Sequence, residues 1–263
     1  MMNLILPTDG HLAAHADDFL VPLDEVLTRI KADIPSDTPI GVAFRLVIRS
    51  DRPLGRSRCV PAAGRRTWWG FRTGRQVPSH LSAGEPAAVS VLTAWLRRDD
   101  ADNVALLTVY PGEPAPREIH DPEMPEHERE ASIAFWREHA LLAPEPRAIW
   151  LVNALSLNMF GALADGATAD LRLRKVPLDH ARILAEAAES AVGHGDTAGV
   201  LAGLLGRPVA STRQTLALAD GDCLLAGQYV GKRLSEGATV LPEGATILWY
   251  WVEVGAAAGD KRA

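Results

Sequence analysis

The chain has 263 residues and a formal net charge of −6, with 47% hydrophobic and 23% charged residues. This is ordinary globular composition, which excludes a wholly disordered chain, a collagen-like repeat and a disulfide-stapled miniprotein; the length admits one large domain or two small ones. The acidic balance and a pI near 5.8 argue against a protein that coats long nucleic acid, yet leave room for a small anion held by a few local arginines.

At the N-terminus, Met1-Met2-Asn3-Leu4-Ile5-Leu6-Pro7 lacks a basic region and a signal-length apolar stretch. No apolar run along the chain reaches the roughly 18 residues of a membrane span. Cys59 and Cys223 are too few and too far apart for a disulfide framework. A reducing cytoplasm, with no membrane partner, is the expected setting. His11 and His15 have the i, i+4 spacing of two metal ligands, but no zincin glutamate follows His11 and no third ligand is evident. A pair of surface histidines is the better reading, and no metal or cofactor is expected.

Residues 18–31 carry Leu20, Leu23, Val26, Leu27 and Ile30 at helical spacing. Strands are expected at 40–49 and 103–110, with a helix over 86–97. The segment 45–75 holds nine arginines against one acid, Asp51, and encloses Trp68, Trp69 and Phe71. Arginine interleaved with aromatics can bind phosphates and stack on bases. A solvated loop whose tryptophans enter a small core is the more ordinary alternative. Walker, nucleophile-elbow and dinucleotide fingerprints are absent from the whole sequence.

The Pro- and acid-rich stretch over 110–126 can sustain neither helix nor central strand. A helix is expected over 128–142, with Ile133, Trp136 and Ala140 on one face. After Pro144-Glu145-Pro146 a fresh strand pattern begins. These breaks predict two domains, an uncharacterised α/β domain over 1–146 and a second domain over 147–263; charge does not separate them.

The second half starts with a buried strand at 148–153, followed by Ala154-Leu155-Ser156-Leu157-Asn158, which places polar side chains at the mouth of a sheet. Thr168–Val176 alternates, predicting Ala169, Leu171 and Leu173 inward and Thr168, Asp170, Arg172 and Arg174 outward. A helix is expected over 178–190 behind Pro177, and another over 198–205 ended by Gly206 and Pro208. Strands at 212–218, 222–230 and 246–254 complete an α+β domain of about five strands and two helices.

His194 stands before the second of these helices in Gly193-His194-Gly195-Asp196-Thr197, with Asp196 or Thr197 as the expected cap. Backbone N–H groups and the helix dipole make such a position an anion site. An imidazole, with an ordinary pKa of about 6.5, can protonate an oxygen leaving a phosphate near neutrality. Capping and loop histidines are common, so this feature taken alone is weak. Gln228-Tyr229-Val230-Gly231-Lys232-Arg233-Leu234-Ser235-Glu236-Gly237 brings two cations and a carboxylate off a strand end, which by itself reads as a polar turn.

Three motifs in order, Leu151-Val152-Asn153-Ala154-Leu155-Ser156-Leu157-Asn158-Met159, Gly193-His194-x-x-Thr197 and Arg233-Leu234-x-Glu236-Gly237, resemble the viral anti-CRISPR ring nucleases of type III systems and their bacterial relatives. The resemblance covers roughly 148–254 and leaves the first half unassigned. It implies a homodimer that encloses cyclic tetra-adenylate and cuts it without metal into linear di-adenylates with 2′,3′-cyclic phosphate ends. By position, His194 matches the catalytic acid and Glu236 the carboxylate that assists it. Asn153, Ser156 and Asn158 match the polar cluster that contacts ribose and phosphate. Arg233 and Arg213 match ligand-contacting arginines, and Gln228 a further contact, although one extra residue between Asp222 and Arg233 leaves its register open. The chemistry agrees: attack by a neighbouring 2′-hydroxyl needs in-line geometry, cations on the phosphate and an acid for the leaving group. The alternative is a non-catalytic sensor or sponge for a cyclic oligoadenylate whose first half provides the output.

Overall fold

The computed structural model describes residues 3–7, 12, 16–212, 214–235 and 237–256. In chain order the strands are β1 (Asn3–Ile5), β2 (Ala43–Arg49), β3 (Gly55–Ser57), β4 (Cys59–Pro61), β5 (Thr67–Gly70), β6 (Ser79–Ser82), β7 (Ala87–Val89) and β8 (Val91–Arg98). They continue as β9 (Asn103–Pro111), β10 (His139–Leu142), β11 (Ala148–Val152), β12 (Ala169–Val176), β13 (Glu189–Ser190), β14 (Asp222–Val230) and β15 (Thr246–Ala256). The α-helices are α1 (Leu23–Asp33), α2 (Arg129–Glu138), α3 (Leu178–Leu184) and α4 (Gly195–Leu205). The class is α+β. Among the described residues no helix is long and apolar enough to cross a membrane.

The chain divides into two compact units, residues 1–66 with 82–143, and residues 67–81 with 144–263. In the first, a four-stranded sheet runs in the order β1-β9-β8-β2. Its core joins Val26 and Ile30 of α1 to Ile48, Leu92, Ala94, Leu96, Val104, Leu106 and Val109. Further antiparallel pairings in this unit join β3 to β7 and β4 to β10. Two local expectations fail here. The helix expected over 86–97 is instead β7 and β8, because Leu92, Ala94 and Leu96 are fully buried on one face while Val91, Thr93 and Trp95 pair across the other. An apolar run of this length fits either element by periodicity, and its β-branched and aromatic residues decide it. The helix over 128–142 ends at Glu138, since His139, Ala140 and Leu141 pair with β4.

The second unit is built on a five-stranded mixed sheet in the order β12-β15-β14-β11-β13. β11, β13 and β14 are parallel to one another, while β15 is antiparallel to both β14 and β12. One face buries Val152, Leu224, Ala226, Val252 and Val254 beneath Leu216 and Leu218. Helices α3 and α4 bury Ala181, Leu184, Val200, Leu201 and Leu205. The space above Gly227, where an added Cβ would stand 2.9 Å from Leu201 and 2.8 Å from Trp249, shows how closely α4 approaches the opposite face.

The fifth strand is not the one expected. Thr212 and residues 214–218 are in no strand; Leu216 and Leu218 cover the sheet, with Leu218 N–H donating to Met159 O at 2.7 Å. The edge position falls to β13, where Glu189 and Ser190 pair with Trp150 and Leu151, so the helix expected to reach 190 stops at Leu184. β12 also departs from the expected pattern: Leu171 and Leu173 are 43% and 57% exposed rather than inward. They sit on an edge strand outside the cluster that covers this face.

Residues Thr67–Leu81, from the first half of the sequence, pack within this second unit. β5 and β6 are neighbouring strands. The Phe71 ring lies 6.3 Å from Trp251 and 6.5 Å from His180. Arg174 stacks on Phe71 at 4.3 Å and donates to Arg75 O and Gln76 Oε1, both at 2.9 Å. Trp69 Nε1 donates to Glu186 at 3.2 Å. Burial holds the His180 imidazole below its ordinary pKa, against a smaller upward pull from Asp179.

Candidate functional site

Three parallel strands point their carboxyl ends the same way, and the candidate residues follow those ends. Asn153 leaves β11, His194 follows β13 by four residues, and Arg233 follows β14 by three. Side chains beyond the carboxyl ends of parallel strands share one rim, which is where open sheets of this kind receive ligands.

At the first strand end, Asn153 is half-buried and Ser156 caps a short 3-10 helix, Leu157–Phe160. The Ser156 hydroxyl oxygen accepts the Asn158 N–H at 3.3 Å. A serine that accepts at its oxygen keeps its own O–H to donate. Asn158 is exposed. The capping residue for this turn is thus one of the polar residues matched by the motif.

His194 occupies the N-cap position of α4 with φ −124° and ψ 130°, and its carbonyl accepts the Ala198 N–H at 2.9 Å. The imidazole makes no capping bond and is exposed, flanked by exposed Gly193 and Gly195. The expected cap by Asp196 or Thr197 is not what forms. Asp196 lies in the first turn of the helix, and its Oδ1 accepts the Gly237 N–H at 2.6 Å. The carboxylate therefore bridges α4 to the loop beyond β14.

That loop is shaped from both sides. Tyr229 Oη donates to Lys232 O at 2.6 Å, and Gly231 lacks the Cβ that would meet this hydroxyl at 2.6 Å. Arg233 is exposed and makes no hydrogen bond or ion pair with a described residue. Gln228, also exposed, donates from Nε2 to Tyr229 O at 3.1 Å, on the strand rather than in the loop. Arg213 and Glu236 lie outside the described residues, as do His11 and His15. Among the described residues no group of three His, Cys, Asp or Glu side chains could hold a metal ion.

The arrangement gathers Asn153, Ser156, His194 and Arg233 at one rim and ties the last two segments together through Asp196. An exposed imidazole at a helix start and an exposed guanidinium in the adjoining loop can together protonate and bind a phosphodiester oxygen. Sequence reasoning took Asp196 only for a cap. The signal available was Asp196-x-x-Gly199-x-x-x-Gly203, an acid and two glycines on one helical face.

Comparison with known proteins places the likeness in the second unit. Residues 149–244 match the STIV B116-like family model. Among solved structures, B116 of Sulfolobus turreted icosahedral virus is 25% identical over 40% of this chain and 98% of that chain, with a TM-score of 0.34. No curated protein matches.

Proposed function

We propose that the second unit is a metal-independent ring nuclease. It cleaves cyclic tetra-adenylate to linear di-adenylates with 2′,3′-cyclic phosphate ends and thereby switches off type III CRISPR signalling. The observation that carries this reading is the tie between the His194 helix and the Arg233 loop at the rim where Asn153 and Ser156 also emerge. The family match supports it, because residues 149–244 contain all three motifs on which the resemblance to ring nucleases rests.

In the proposed reaction a ribose 2′-hydroxyl attacks its own 3′-phosphate in line. The O2′–P bond forms as the 2′-hydroxyl gives up its proton to water, the P–O5′ bond breaks, and the departing 5′-oxygen takes a proton from the His194 imidazolium. Arg233 neutralises charge on the non-bridging oxygens, a contact that strengthens as the transition state develops. Asn153 and Ser156 orient the ribose, and Glu236 assists the histidine. General acid catalysis supplies about 10²–10⁴-fold, with positioning supplying the remainder. A ring with repeated phosphates suits a two-fold dimer, whose equivalent patches meet equivalent phosphates. The whole would work in the cytoplasm.

The test is incubation of the full-length protein with labelled cyclic tetra-adenylate in EDTA, with the oligomeric state followed by light scattering. Cleavage to cyclic-phosphate di-adenylates by a dimer is the expected result. Tight binding without cleavage would replace the nuclease with a sensor or sponge, and no interaction would refute both.

A further inference from the structure

Helix α4 presents backbone, in place of side chains, to the loop that follows β14. Asp196, Gly199 and Gly203 are spaced by three and four residues and so share one side of the helix. A Cβ added at Gly199 would stand 3.0 Å from Ala238 O and 3.4 Å from Thr239 Cγ2, and one at Gly203 would stand 3.2 Å from Thr239 O. Residues 238–239 therefore lie directly on the helix. Glycine is among the poorest helix formers, so Gly199 and Gly203 in the interior of an eleven-residue helix need a compensating contact, and this close approach is one. At the end of the same face, Asp196 Oδ1 takes the Gly237 N–H at 2.6 Å, a short bond between a carboxylate and a backbone donor.

We infer that Asp196 is a positioning residue: through the Gly237 N–H it holds the loop that carries Arg233 onto the first turn of the helix that His194 begins, fixing the cation relative to the acid. Asp196 does not touch the reacting atoms. Its catalytic consequence rests on the ring-nuclease reading, whereas the tie itself is independent of it. A purely structural role is also available to this residue, because an acid in the first turn stabilises a helix through its dipole. The two roles separate by substitution. Asp196→Asn removes the charge but keeps an oxygen that can accept the Gly237 N–H, and Asp196→Ala removes both.

Two measurements on the full chain decide it. In single-turnover cleavage of cyclic tetra-adenylate, Asp196→Ala is expected to lose about 10–100-fold in rate, the scale of a misplacement near 1 Å. Asp196→Asn is expected to stay within about three-fold of the unsubstituted protein. In hydrogen exchange without ligand, Asp196→Ala is expected to speed exchange of Gly237 about ten-fold or more while β14 is unchanged, and Asp196→Asn is expected to preserve the protection. Equal losses in Asn and Ala would assign the effect to charge and overturn the inference. So would faster exchange with no loss of cleavage, or unchanged exchange in the Ala variant. If the unsubstituted protein cuts no ring, the ring-nuclease reading falls, and the exchange result still sustains or overturns the tie.

Discussion

Phe71 lies in the first half of the sequence but packs within the second unit, and replacing it with alanine measures how much that unit depends on residues 67–81. Its ring stands 6.3 Å from Trp251, a residue only 2% exposed, and Arg174 stacks on it at 4.3 Å. A fully buried Phe→Ala change costs about 3–5 kcal/mol. Phe71 is half-buried, so about 2 kcal/mol is the share from lost packing. The ring pair and the cation–π contact add about 0.5–1 kcal/mol each, and because such terms overlap the total is about 2–3 kcal/mol. At roughly 3–4 °C per kcal/mol for a domain of this size, the melting temperature of the second unit should fall by about 6–12 °C. Scanning calorimetry of the full chain reads this directly. A fragment of residues 144–263, which lacks the whole 67–81 segment, should fare worse and show tryptophan emission shifted to the red as Trp251 meets water. A drop below 2 °C for Phe71→Ala, or a fragment that melts with the intact unit, would refute the assignment of 67–81 to this unit.

His194→Ala should reduce ring cleavage by about 10²–10⁴-fold with affinity within a few-fold, and wild-type turnover would remove the proposed acid. Arg233→Ala should weaken both binding and turnover, because a phosphate contact acts in ground and transition states; unchanged affinity, by filter binding, would count against the register assigned to 228–237. Burial pushes the Cys59 thiol up to about 11 and burial followed by Glu253 and Asp222 pushes Cys223 up to about 12, so neither forms thiolate near neutrality. Iodoacetamide at pH 8 should therefore label both only after unfolding, and rapid labelling of the native protein, read by mass spectrometry, would contradict their placement.

The sequence made the second sheet readable where periodicity and pairing agree. β11, β14 and β15 fall where apolar runs bounded by Gly, Pro or Asp predict strands. Periodicity failed where the sheet itself chose the partner. Glu189-Ser190 carries no strand signal of its own and is extended because Trp150 and Leu151 offer an open edge. A strand is expected at 212–218, yet residues 214–218 stay outside the sheet, since Leu216 and Leu218 serve as the cover over Leu224 and Val252. Alternation misled at β12, because an edge strand need not have a covered face. Nothing local could have sent residues 67–81 into the second unit. That placement depends on Phe71 meeting Trp251 and Arg174 across about a hundred residues of sequence or more.

The candidate site was legible for a different reason. Its groups stand at strand ends and at a helix start, where backbone geometry restricts which residues are tolerated and so leaves short motifs. Ser156 is readable because it caps a turn, and His194 because it opens a helix between two glycines. Asp196 was misassigned because capping predicts a bond from the acid to its own helix, while the carboxylate reaches a donor 41 residues further along the chain. The Gly199 and Gly203 spacing resolves that ambiguity. Glycines facing outward on an exposed helix would only weaken it, whereas glycines aligned with an acid show that another stretch of backbone lies there. A helix written Asp-x-x-Gly-x-x-x-Gly after a candidate catalytic histidine thus specifies a docked loop, and the loop it docks here is the one that carries Arg233.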